Sequence, residues 1–350
     1  MSNRSSAPTM KDIARRARVS IGTVSRVLNR HTDVDPILRE RVEDAVRKVG
    51  YQLNQRTRSV VHAKSRMIGL ILCNDFELSS AQSLLLVGVE ECCAQQGYNL
   101  LFARHQFEAD KGHLPLPNVI GTPGLSECLI LMGRLEEGLL KALDRQKLNY
   151  VFLANHAEDG MDAARHQVRY DDETGCCEAT RYLAQLGHNE IWYLGDESRF
   201  WQRGRYRGYR RAMAELKLEP HVHTIALSDN EFENGLAAIS YILEQQWPLT
   251  AIVAASDELA FGVREGLRQH RKEVPRDVSL IGFEDQTGGS RGSNVTSVSV
   301  DMIDVGRQLA KQAIARIEAN EIRSGELVVP TTLVRRSTCR PLRKEEHMLL

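Results

Sequence analysis

The chain has 350 residues, 42% of them hydrophobic and 26% charged, which is too long for one small core and right for a small module joined to a two-lobed soluble domain. Its formal net charge of zero hides an asymmetry: residues 1–66 hold 15 basic and 6 acidic residues, a net of +9, and the remainder holds 31 and 40, a net of −9. A basic head on an acidic body points to a polyanion partner for the head alone, and no run approaches the roughly 18 apolar residues of a membrane span.

Seven cysteines (Cys73, Cys92, Cys93, Cys128, Cys176, Cys177, Cys339) are odd in number and lack C-x-x-C spacing. They read as reduced, mostly buried thiols of a cytosolic protein. The opening MSNRSSAPTMKD has no apolar run, so a secretory signal is not expected and a cytoplasmic location is. The sequon Asn294-Val-Thr296 then has no meaning.

Taken in chain order, Thr9 with Asp12 three positions on forms a capping-box pattern for a first helix with Ile13, Ala14 and Ala17 on its apolar face. Ser20 is a cap for a second helix, Ile21 to about Leu28, so the first cannot run past Arg18. Two helices joined by three residues fit a helix-turn-helix. Val24, Val27 and Leu28 face inward, leaving Ile21, Gly22, Ser25 and Arg26 outward. A third helix starts at the Asp35 cap with Pro36 at its first position, repeats Leu38, Val42, Ala45, Val46 and Val49 at helical spacing, and stops at Gly50.

A helix laid in the major groove meets base edges with its N-terminal turns. Arg26 then suits a guanine edge, Ile21 a thymine methyl, and Gly22 a close backbone approach. Ser20, Thr23, Ser25 and Asn29 suit phosphates. The competing reading for each is a solvated helix surface.

The run MKDIARRARVSIGTVSRVLN, continued by DVDPILRERVEDAVRKVGY, resembles the signature of the LacI/GalR (lactose-repressor) family of bacterial regulators, and the resemblance covers nearly the whole chain. It implies a homodimer whose recognition helices enter successive major grooves of a palindromic double-stranded operator, with Thr9 and the hinge residues Tyr51, Asn54, Arg58 and Val60 completing the DNA-binding set. Where the family has Gly in the turn, this chain has Arg18, at a cost of about 1 kcal/mol if that residue is left-handed. Residues 51–65 form the hinge, and Val60 stands at the wedge position that the family fills with Leu. Leu53 and Thr57 replace a usual Pro and Ala, which implies a weaker hinge helix; a flexible basic linker is the alternative.

From Met67 onward strand-length apolar runs alternate with helical patterns: Ile68–Leu72, Leu100–Ala103, Leu129–Leu131, Tyr150–Leu153, Ile191–Leu194, Ala251–Ala254, Val278–Ile281 and Ser297–Val300 read as strands. Such alternation implies an α/β body with parallel, doubly wound sheets. The resemblance makes it a periplasmic-binding-protein-like body over 66–341, behind an all-α head over 1–50. Lobe one is expected over about 66–170 plus 301–325, and lobe two over about 171–300 plus 326–341.

Site residues follow from the resemblance one at a time. Arg205, three before Gly208, matches the arginine that grips ligand hydroxyls. Glu284, after Gly282-Phe283, stands for a usual Asp. Ser256 stands for a usual Asn beside the matching Asp257. Trp201 offers a flat apolar face, and Asn155 follows a strand at a position that often touches ligand. An arginine fork, carboxylates and an aromatic plane together suit a sugar. Other roles stay open: Arg205 as an inter-lobe ion-pair residue, Trp201 as packing, Asp257 as cap of a helix over Glu258–Leu267, Glu284 closing on Arg205.

No H-E-x-x-H, P-loop or metal-spaced Cys/His set is present, so neither an enzyme nor a metal or cofactor is expected. The expectation is a repressor controlled by a sugar. The alternatives are a ligand-independent DNA-binding protein and a corepressor-type regulator answering to a nucleobase-like metabolite.

Overall fold

The computed structural model describes residues 10–28, 34–49, 65–73, 78–106, 125–157, 165–224, 230–285, 294–318 and 325–342. The chain divides into two units, Met1–Ser65 and Arg66–Leu350. Helices α1 (Met10–Ala17), α2 (Ile21–Leu28) and α3 (Pro36–Val49) build the first around Ile13, Ala14, Ala17, Val24, Val27, Val42 and Ala45. The side chains of Leu28 and Val49 lie outside the described residues.

The end of α1 and the starts of α2 and α3 each have a visible cause. Arg18 sits at φ 52, and the Val19 N–H donates to the Ala14 carbonyl at 3.1 Å, so α1 ends in a Schellman turn with an arginine in the left-handed position. Ser20 Oγ accepts from the Thr23 N–H at 3.0 Å and opens α2. Asp35 Oδ1 accepts from Ile37 at 2.8 Å and Leu38 at 3.2 Å and opens α3. Arg41 Nη2 donates to the carbonyls of Ala17 (2.6 Å) and Arg18 (3.3 Å), tying α3 to the turn.

The second unit is two six-stranded sheets. The strands in chain order are β1 (Met67–Cys73), β2 (Asn99–His105), β3 (Cys128–Gly133), β4 (Tyr150–Leu153), β5 (Gln167–Tyr170), β6 (Ile191–Leu194), β7 (His221–His223), β8 (Ala251–Ala254), β9 (Ser279–Glu284), β10 (Thr296–Ser299), β11 (Glu326–Val329) and β12 (Thr332–Val334). The first sheet runs β11-β5-β4-β3-β1-β2, all parallel; the second runs β12-β10-β9-β8-β6-β7, parallel except for β12. Central strands such as β3 are buried along their whole length, as continuous apolar runs in a sheet covered on both faces require.

The helices of this unit are α4 (Ser80–Gln95), α5 (Glu137–Arg145), α6 (Asp172–Gln185), α7 (Phe200–Leu216), α8 (Glu231–Glu244), α9 (Asp257–Gln269) and α10 (Met302–Glu318). The chain crosses between lobes after β5, after β10 and after β11. One boundary differs from the expectation: residues 326–329 pair with β5, Leu327 opposite Val168, so lobe one extends to Val329 and only β12 returns to lobe two. Backbone pairing decided this, and a four-residue edge strand of sequence ELVV is too short to carry a signature of its own.

Helices α4 and α10 meet backbone to backbone: Gly88 lies against the Ile303 carbonyl and Gly306 against that of Leu85. Lobe two repeats the device between α8 and α9 with Gly235 and Gly262.

Candidate nucleic-acid interface and ligand cleft

On α2 the inward side chains are Val24 and Val27, and Ile21, Gly22 and Arg26 are exposed, with Ser25 and Thr23 half-buried. Ile21 keeps 45% of its surface exposed, an apolar side chain that the three-helix core does not use. Ser20 and Thr23 partly spend their hydroxyls on one another at 2.9 Å as well as on the cap. Thr9, Asn29, Tyr51, Asn54, Arg58 and Val60 lie outside the described residues, as does the hinge up to residue 64.

In the body the carboxyl ends of the strands gather a charged cluster around Arg205, which is fully buried on α7. Its Nη1 donates to the Ala255 carbonyl at 2.5 Å, and its Nη2 to Glu284 Oε1 at 2.9 Å and the Tyr170 hydroxyl at 3.2 Å. The Phe283 ring lies 4.2 Å under the guanidinium. Tyr170 comes from lobe one and Arg205 from lobe two, so this is an inter-lobe contact. Burial opposes the charge on Arg205, but Tyr170, Glu284 and Asp172 more than offset it and raise its pKa.

The remaining expected residues divide. Ser256 is the cap of α9, accepting from the Leu259 N–H at 3.2 Å while donating to Glu231. The cap reading for Asp257 is therefore corrected: the helix starts at Asp257 itself, and that carboxylate accepts from the Ser297 hydroxyl at 2.7 Å. Asn155 spends both ends of its amide on the backbone of Tyr170, each at 2.9 Å, and so positions a cleft residue. Trp201 is half-buried and carries the Arg199 guanidinium 5.5 Å over its ring.

Sequence reasoning missed Tyr170, Asp172, Glu231 and Gln202. Gln202 Nε2 donates to Glu231 Oε1 at 2.7 Å, beside a cavity of about 10 Å³, room for roughly one water, bounded by Asp196, Arg199, His223 and Asn234. Burial pushes the carboxyls of both Asp172 and Glu231 up, with Arg205 pulling each partway back. The only signal for Tyr170 and Asp172 was their place at and just after the end of a short strand whose own pattern was too weak to mark it.

Six cysteines are buried and Cys339 partly so, all as free thiols. Burial pushes the thiols of Cys93 and Cys128 up to about 12 and of Cys339 to about 11, which makes them packing residues. Among the described residues no group of His, Cys, Asp or Glu is arranged to hold a metal ion, and no helix is long and apolar enough to cross a membrane.

Residues 9–54 match the description "Bacterial regulatory proteins, lacI family", and residues 180–339 match "Periplasmic binding protein-like domain". The chain is 29% identical over 343 residues to the HTH-type transcriptional repressor CytR of Escherichia coli (96% of this chain, 97% of that one) and 28% identical over 341 residues to the HTH-type transcriptional regulator RegA of Clostridium saccharobutylicum (95% and 99%). Residues 9–54 carry a domain of the lacI family of bacterial regulatory proteins, and along its length the chain is similar to HTH-type transcriptional regulators. In fold it matches a lac repressor dimer bound to operator and an anti-inducer, with a TM-score of 0.84 at 21% identity over 96% of this chain and all of that one. A CelR–cellobiose complex matches with a TM-score of 0.67 at 23% identity over 95% and 99%. The family is one of transcriptional regulators, so the chain is a DNA-binding regulator and not an enzyme.

Proposed function

We propose that this lacI-family chain acts in the cytoplasm as a homodimeric repressor, binding a palindromic operator through α2 and changing its operator affinity when a small ligand, a sugar first of all, enters the cleft around Arg205. The observation that carries the DNA half is the outward set on α2: an exposed apolar Ile21, a bare Gly22 and an exposed Arg26 on a helix that buries Val24 and Val27 on its other face. On that face Ile21 offers an apolar contact to a base edge with a methyl group, and Arg26 offers a guanidinium to a guanine edge. The fold likeness to an operator-bound lac repressor dimer supports the dimeric arrangement, and relatives solved with cellobiose or ribose support a sugar.

One observation favours a second reading, a regulator that needs no ligand. The polar groups around Arg205 are already engaged by the protein itself: Glu284, Tyr170 and Ala255 on Arg205, Ser256 and Gln202 on Glu231. Selection of duplexes from a random pool by the full chain, followed by gel shift with and without sugars and nucleobases, tests both. A twofold-symmetric duplex whose affinity shifts with a sugar is the expected result. Equal binding of symmetric and random duplexes sinks the first reading, and an operator affinity that no metabolite moves selects the second.

A further inference from the structure

We infer that Glu284 is the selectivity element of the cleft: its carboxylate is a tethered occupant of the Arg205 fork, and it admits uncharged, hydroxyl-bearing effectors while excluding phosphorylated ones. This rests on the reading of the cleft as the effector site.

Three observations converge on Glu284. Its Oε1 lies 2.9 Å from Arg205 Nη2, and an aspartate on the same backbone would end about one C–C bond short of that contact, ~1.5 Å. Its backbone stands at φ 96, a region that non-glycine residues rarely adopt and that collects at functional sites. The following residue pins it there: the Asp285 N–H donates to Ser297 Oγ at 3.1 Å, and the Asp285 carboxylate pairs with Arg336 at 2.7 Å. Glu284 is thus held by its neighbours with its carboxylate on the guanidinium.

What can share that guanidinium follows from its remaining donors and from the local charge. Arg205 Nε is buried and has no partner among the described residues, so one donor is left unsatisfied for an acceptor to take. Around it stand Glu284, Asp172 and Glu231. The other nearby cations are engaged: Arg199 by Asp196 at 3.4 Å and Glu231 at 3.9 Å, Arg207 by Glu173 at 3.5 Å and Arg169 by Glu326 at 3.0 Å. A hydroxyl of a neutral ligand accepts from Arg205 and donates to Glu284, so neither ion is left without a partner. A phosphate that took the guanidinium would release Glu284 into a shell that already holds two buried carboxylates, adding like charge where solvent cannot screen it.

The test uses the full chain and two probes, inorganic phosphate and a set of free sugars with their phosphate esters, read by calorimetry and thermal shift. For the wild type, every compound that stabilises the protein is expected to be uncharged. The variant Glu284→Gln keeps the shape without the charge and should bind inorganic phosphate at least tenfold more tightly than the wild type. Adding Arg205→Lys to it should remove that gain. A wild type that binds a phosphate ester as tightly as its parent sugar, or a Glu284→Gln variant with no gain in phosphate affinity, overturns the inference. If Glu284→Gln fails to fold, Glu284→Ala, which also removes the charge, is read the same way. Operator binding by the same wild-type preparation is scored separately, so a failure here is distinguishable from failure of the regulator reading.

Discussion

The sharpest structural prediction concerns Gly88, where α4 and α10 touch. A methyl placed there would sit 2.8 Å from the Ile303 carbonyl carbon and 3.0 Å from its Cα, and would overlap the carbonyl oxygen. The oxygen is the worst of these at 1.9 Å, against an ordinary carbon–oxygen contact of about 3.2 Å, so the helices must part by roughly 1.3 Å along two rigid backbones. Overpacking of this kind costs about 1–3 kcal/mol, and the backbone location puts it at the upper end. Replacing Gly by Ala inside a helix returns about 0.5–1 kcal/mol, leaving a net loss near 2 kcal/mol. For a body of this size that lowers Tm by ~4–8 °C. Gly138 in α5 is the control, because a methyl there meets nothing within 4 Å. The assay is calorimetric or circular-dichroism melting of Gly88→Ala, Gly138→Ala and wild type. A Gly88→Ala variant that melts at or above wild type, or a Gly138→Ala variant that falls as far, refutes the close-packing argument.

Arg26→Ala should cost about 1–3 kcal/mol of discrimination between operator and scrambled duplex while the head's own melting is unchanged, because the side chain is exposed; unchanged discrimination in a gel shift removes Arg26 from base reading. Asp35→Ala should destabilise the head by about 1 kcal/mol through loss of the cap on Ile37 and Leu38, measured by denaturant melting of the head signal, and no loss would mean that water replaces the cap. Burial lowers the pKa of His166, with Arg316 adding to the shift, and burial also lowers that of His223. The unfolded chain therefore takes up these protons first as pH falls. Stability declines below about 6.5 and levels once the folded-state values are passed. Between pH 7.5 and 5.5 the Tm of His166→Gln should fall less than that of wild type, and equal falls would exclude His166 as a contributor.

Much of the architecture could be read from residues alone because its causes are local. Ser20 and Asp35 announce helix starts by chemistry that acts within three residues, and the continuous apolar runs at Ile191–Leu194 and Ala251–Ala254 can only be buried strands. The turn at Arg18 was visible the same way, as the place where one helix must stop before the next begins; its left-handed conformation was suggested only by the resemblance, through the glycine the family has there. Strand β5, by contrast, has four residues and no alternation. Strand β11 shows only a mixed exposure, so neither carried a readable period.

By itself, then, the sequence determined the parts of this protein whose physics is short-ranged: caps, helix faces, buried runs and the basic head. Folding in three dimensions decided which groups separated by 35 to 79 positions come to lie on one guanidinium, and that Glu284 rather than solvent occupies it. Desolvation and charge pairing act through space and depend on the whole fold around a residue, which is why Arg205 and Glu284 were legible as candidates with their pairing left open, and Tyr170 was not.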